Sequence, residues 1–231
     1  MAVSTIAAPS VFAGSANVIA VGVLLAGFGM FRQALLRDQV RLYAAQSALI
    51  SVLAVVVAAD RHLPELYALA GLSFALKAVI VPLVLRRLLR GLGARGIGWS
   101  DIAGSGSLSP ASTVLLAIAV AAFGVFSIAA LGLRSPVLPT TALSISVAVV
   151  LVAFILMITR RDVASQAIGF CSLENGVSLT ALVVAAGLPL ILEIVFLFDL
   201  LVVVVVFGLL IRVHHSRAES LSTADLTSLR G

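Results

Sequence analysis

The sequence predicts an all-α integral membrane protein of about seven transmembrane helices, N-terminus outside and C-terminus inside. Three observations predict it. Of 231 residues, 61% are hydrophobic and 11% charged, and the mean hydropathy is +1.22, outside the range of soluble domains. The apolar runs are unbroken for roughly twenty residues, enough to cross a ~30 Å hydrocarbon core as helices, and they lack the period-2 alternation of an outer-membrane barrel. The arginines fall almost entirely on alternate breaks between these runs, and such a bias orients helices.

Taken in order, helices are expected at about 10–31, 39–59, 64–89, 110–133, 138–159, 163–186 and 189–212. The N-terminal stretch MAVSTIAAPSVFAGSANVIAVGVLLAGFGMF has no basic n-region and a long apolar run, so it reads as a retained first span rather than a cleaved signal. The breaks are chemical: RQALLRD, DRHLP, the glycine-rich RGLGARGIGWSDIAGSGSLSP, LGLRSPVLP, TRRD and AGLP. Pro64, Pro110, Pro139 and Pro189 lie near helix starts, where a missing N–H costs little. Pro82 falls inside the third span and should kink it.

Arg32, Arg37, Arg41, Arg86, Arg87, Arg90, Arg95, Arg160, Arg161, Arg212, Arg217 and Arg230 fall on one side; Arg61 and Arg134 fall on the other. The richer side is expected to be cytoplasmic, which places the glycine-rich loop and the polar tail HHSRAESLSTADLTSLRG inside a plasma (inner) membrane. The same distribution explains the sequence pI near 10.6 without nucleic acid. The loops leave no room for a soluble catalytic domain. Cys171 is the single cysteine, so no disulfide framework or thiolate metal cluster is available. His62, His214 and His215 lie in loops or the tail with no third ligand in view, and no metal site or cofactor is expected. A further pattern is an internal echo. A helix, LLRDQ, a helix, a short loop with Pro64 and a helix resemble a helix, TRRDV, a helix, a short loop with Pro189 and a helix, as parallel repeats joined by the fourth span.

Four ionisable residues remain inside the spans: Lys77 in the third, Glu174 in the sixth, Glu193 and Asp199 in the seventh. Lys77, Glu174 and Asp199 fall near mid-depth; Glu193 lies nearer the outer end, ~9 Å from Asp199 along the axis. A central charge costs ~2.5–3.5 kcal/mol on insertion scales, so these groups must face protein or water. Cys171 and Ser178 share the helix face of Glu174, and Gln166, Ser172, Asn175 and Thr180 add polar atoms around it. Burial opposes the charged carboxylate and a nearby lysine favours it; a balance between them is what a proton relay requires. The alternative is a static ion pair of Lys77 with Glu174 or Asp199 that fixes packing, with Glu193 hydrated at the rim and Asn175, Ser178 and Cys171 as interhelical hydrogen-bond residues.

The segment IGFCSLENG, preceded by TRRDVASQ and followed by LPLILEIVFLFDLLVVVVVFGLLI, resembles the C-terminal three-helix region of the hydrogenase-4 membrane component E family. LSFALKAVIVPLVLRRLLR resembles that family's third span. The family is in turn similar to the small K subunit of respiratory complex I and the C subunit of multisubunit sodium/proton antiporters.

The resemblance implies a membrane subunit of a proton-translocating, hydrogenase-like complex. Its partners would be antiporter-like large membrane subunits, other small membrane subunits and a peripheral hydrogenase-like module. It implies a proton relay through Glu174, Lys77, Asp199 and Glu193, supported by Asn175, Ser178 and Cys171, with no catalytic residue of the chain's own. It also implies a division into a three-helix unit over 1–95, a cytoplasmic loop and connector helix over 96–137, a K-subunit-like three-helix unit over 138–212 and a polar tail over 213–231. In the K-subunit pattern a carboxylate follows Ile-Gly-Leu directly, whereas here Phe170, Cys171, Ser172 and Leu173 intervene before Glu174. The seventh span offers Glu193 and Asp199 where that pattern has one acid. The competing expectation is a stand-alone secondary transporter, or an assembly subunit without a relay.

Overall fold

A computed structural model describes residues 11–33, 35–93, 109–132, 140–160 and 163–184, with the isolated positions 201 and 208. Helices form over Val11–Arg32 (α1), Leu36–Arg61 (α2), Pro64–Ser73 (α3), Val81–Gly93 (α4), Pro110–Ala130 (α5), Thr140–Thr159 (α6) and Val163–Val184 (α7); a π-helical segment, Phe74–Ile80, joins α3 to α4 into one long span. Among the described residues, six helices are long and apolar enough to cross a membrane. The protein is therefore an all-α, multi-pass membrane protein. The seventh span expected over 189–212, with Glu193 and Asp199, lies outside the described residues except at positions 201 and 208.

The helix ends follow local chemistry. Pro64 and Pro110 each occupy the first turn of a helix, where the fixed φ is already helical and no N–H bond is lost. The Ser109 hydroxyl caps α5 by accepting from the Ser112 N–H at 3.2 Å, satisfying one of the free donors of the first turn. At the other end of α2, His62 turns left-handed (φ 54°), and its N–H donates to the Ala58 carbonyl; Leu63 N–H donates to the same oxygen at 3.1 Å. These bonds close the helix just before Pro64 restarts the chain in the opposite direction.

Inside the third span, the break expected at Pro82 takes a specific form. Val81 N–H donates to Leu76 O, five residues back, so the helix widens by about one residue immediately before the proline. Wide turns of this kind relieve the clash of a proline ring with the preceding turn. The widened segment carries Lys77, which is 1% exposed.

Packing divides the bundle into two apolar halves with a polar layer between them. Toward the arginine-bearing ends, Phe31, Leu36, Val40, Leu85, Leu156 and Ile168 belong to one buried cluster. Toward the opposite ends, Ile50, Leu53, Val57, Leu69, Leu179 and Val183 belong to another. Between the two lie Gln46, Ser47, Lys77, Ser172, Glu174 and Asn175, all buried. The outward faces are apolar, with Val18, Phe123 and Phe126 exposed, as a lipid-facing surface requires.

α6 and α7 approach closely because glycines line the contact. A Cβ added at Gly169 would fall 2.8 Å from Met157 Cγ, and one added at Gly176 would fall 2.9 Å from the Val150 backbone nitrogen. Small residues seven apart let one helix seat its backbone against the other, the usual route to tight association where no hydrophobic force acts between helices. Seating one side of α7 on α6 aims its opposite, polar side at α2 and the π segment.

Candidate functional site: a buried lysine–glutamate layer

The site is assembled from three elements. The π segment presents Lys77, α7 presents Ser172, Glu174, Asn175 and Ser178, and α2 presents Tyr43, Gln46 and Ser47. Lys77 Nζ donates to Glu174 Oε1, an ion pair between residues 97 apart in sequence. The same ammonium donates to Ser178 Oγ at 2.8 Å, and Ser178 Oγ donates to Glu174 Oε1 at 3.0 Å. Ser178 is one helical turn beyond Glu174, so the hydroxyl closes a triangle of donor, acceptor and bridge. Both ions are thereby desolvated together. Attraction and hydrogen bonds offset the burial cost that neither charge could bear alone.

The pairing is lopsided. Glu174 Oε1 takes both donors, while Glu174 Oε2 is buried with no hydrogen-bond partner. A carboxylate has acceptor positions on both oxygens, so Oε2 can accept a further hydrogen bond without displacing Lys77 or Ser178.

Next to the ion pair lies a neutral network between α1, α2 and α7. Gln46 Oε1 accepts from Ser172 Oγ at 2.9 Å and from Asn175 Nδ2 at 3.2 Å. Gln46 Nε2 donates to the Val23 carbonyl at 3.2 Å, and Asn175 Nδ2 also donates to Ser47 Oγ at 2.9 Å. Tyr43, one turn before Ser47, is fully buried within electrostatic reach of Cys171 and Glu174. Gln46 and Tyr43 thus belong to the site although sequence reasoning passed over them. The signal was present: Gln39, Tyr43, Gln46 and Ser47 recur at three- and four-residue spacing along an otherwise apolar helix, which is one stripe.

Of the residues expected to form the site, Lys77, Glu174 and Ser178 meet directly. Asn175 sits beside them, turned toward α2, and Cys171 is buried one turn away. Gln166 and Thr180 do other work: Gln166 Nε2 donates to the Arg160 carbonyl at 2.9 Å, and Thr180 Oγ1 lies 3.1 Å from Ser146 Oγ on α6. Arg160, expected only to orient the chain, also caps α1 by donating to the Phe31 carbonyl at 2.8 Å, a cation at a helix C-terminus.

Against known proteins, the chain is 30% identical over 195 residues to "Uncharacterized protein Rv0085" of Mycobacterium tuberculosis, a match covering 82% of this chain and 84% of that one. The chain belongs to the family of that protein. No protein-family model matches the chain, and no solved structure gives a significant match.

Proposed function

We propose that this protein is a membrane subunit of a proton-translocating complex of the group 4 nickel–iron hydrogenase or complex I-like kind. In this reading it couples a peripheral redox reaction to proton movement through charged residues at mid-membrane. The observation that carries the reading is the Lys77–Glu174 pair, buried between two spans with Glu174 Oε2 unpartnered. A proton arriving at Oε2 neutralises the carboxylate and weakens its hold on Lys77; its departure restores the pair. Such a group stores a proton in one state and a salt bridge in the other, which is what a relay station needs.

In the same reading the chain crosses a plasma membrane seven times with its arginine-rich loops inside. The same reading assigns Asp199 and Glu193, which lie outside the described residues, to the relay, with antiporter-like large subunits, other small membrane subunits and a hydrogenase-like peripheral module completing the assembly. The residues of this chain hold and pass protons; the redox chemistry belongs to the partners.

Two measurements test it. Purified in mild detergent, the protein should bring antiporter-like and hydrogenase-like proteins with it; a chain that runs alone points instead to a stand-alone secondary transporter. In sealed vesicles, with proton uptake normalised to the amount of complex assembled, Glu174→Gln should move fewer protons per electron. Glu174→Asp, which still titrates, should retain more. Undiminished proton uptake by an assembled Glu174→Gln complex would remove Glu174 from the path.

A further inference from the structure

The polar atoms that lack partners are unevenly placed. Glu174 Oε2, Asn175 Oδ1 and Gln39 Oε1 are buried side-chain atoms with no hydrogen-bond partner, and Tyr43 Oη, beside Ser47, makes no well-formed hydrogen bond. Their residues are at most 8% exposed. Gln39, Tyr43 and Ser47 follow one another at four-residue spacing, so they form a line on α2 about 6 Å apart per step. That line runs from the arginine-bearing end, where Gln39 Nε2 donates to the Gln33 carbonyl at 3.1 Å, to mid-depth, where Ser47 meets Asn175.

Beyond mid-depth the same two helices change character. α2 continues with Ile50, Leu53 and Val57 and α7 with Leu179 and Val183, all buried in the apolar cluster. The hydroxyls of that half are satisfied locally: Ser51 donates to the Ser47 carbonyl, Ser146 to that of Leu143 and Thr180 to that of Gly176. Among the described residues, Asn17 Oδ1 on α1 is the unpartnered buried atom of that half, and it stands outside the α2–α7 line. A buried polar atom left without a hydrogen bond loses its hydration with nothing in return. Three unpartnered acceptors on the facing sides of α2 and α7, with Tyr43 between Gln39 and Ser47, are therefore a demand for a small ligand that donates hydrogen bonds and fits between packed helices.

We propose that the α2–α7 seam from Gln39 past Tyr43 to Glu174 is a site for ordered water, reached from the arginine-bearing end and closed toward the other end by the Leu53–Leu179 cluster. Water supplies the donor that Glu174 Oε2, Asn175 Oδ1 and Gln39 Oε1 lack, and can either accept from or donate to Tyr43. Glu174 then exchanges protons with one face of the membrane only. This one-sidedness deepens the relay reading and rests on it for its use, but the water site stands or falls on a separate measurement.

The test is radiolytic hydroxyl-radical labelling of the full chain in lipid nanodiscs, read by mass spectrometry, each rate divided by the intrinsic reactivity of its side chain. Hydroxyl radicals are made from water in place, so a buried side chain next to ordered water is modified while one in a dry core is spared. Tyr43 and Cys171 should be labelled on the order of tenfold faster than Leu53 and Leu179, although all four are buried. Gln39→Leu should slow labelling at Tyr43 and Cys171 and leave Leu53 and Leu179 unchanged. Equal normalised rates for the four residues in the unaltered chain would overturn the proposal, with no variant needed. Fast labelling of Tyr43 and Cys171 that Gln39→Leu leaves untouched would overturn the access from the arginine-bearing end. If labelling is as expected while Glu174→Gln translocates protons normally, the relay reading fails and the water site remains.

Discussion

A lysine and a glutamate in apolar runs are conspicuous in a sequence, because each costs several kcal/mol there and must be compensated. Depth was legible too, since position along a span gives it directly. Azimuth was not: whether Lys77 faces Glu174 or another acid depends on how helices rotate against one another, which the π segment and the glycine contact decide. The observed triangle of Lys77, Glu174 and Ser178 makes a quantitative prediction. Lys77→Met strands a buried carboxylate and should lower stability by about 3–5 kcal/mol. Adding Glu174→Gln to it should restore most of that loss, since no unpaired charge then remains. Thermal unfolding in detergent of the two single variants and the double variant measures the coupling, and additive losses would show that the two side chains do not interact.

At the scale of the helix, hydropathy located the six described spans to within a few residues, and the prolines at 64 and 110 marked the starts of two of them as expected. The widening before Pro82 was not legible beyond the proline itself, because a π-helical turn is a backbone solution that many sequences accept. The close seating of α7 on α6 was half visible: Gly169 and Gly176 are seven apart, but only the packing shows that Met157 and Val150 fill the space a side chain would need. Gly176→Ala should therefore be harmful despite alanine's better helix propensity. The methyl meets backbone, which yields less easily than a flexible side chain, and overpacking of this kind costs about 1–3 kcal/mol. Resistance to unfolding in a mixed-detergent titration should fall accordingly. Gly71→Ala, with nothing within 4 Å of the added carbon, is the control and should be neutral or slightly stabilising.

For the whole molecule, the membrane character was readable from composition, and the arginine asymmetry yields an orientation that labelling can check. Cysteines placed singly in the glycine-rich segment 94–108 should be shielded from impermeant thiol reagents in intact cells, and cysteines at Arg61 or Arg134 should react; the reverse pattern inverts the topology.

One further consequence concerns the order in which the chain is made. Gln46 on α2 meets Ser172 on α7 across 126 residues of sequence. At roughly 5–20 residues per second of synthesis, α2 waits about 6–25 s in the membrane before that partner exists. During that interval Gln39, Tyr43, Gln46 and Ser47 lie in or beside lipid with α1 as the nearest relief. Early intermediates are thus the vulnerable ones, and quality control has its opportunity before the sixth span arrives. In pulse-chase experiments, a chain stopped after α6 at residue 160 should be degraded several times faster than one stopped after α7 at residue 184, though they differ by a single helix; equal lifetimes would mean that α2 finds its partners without α7.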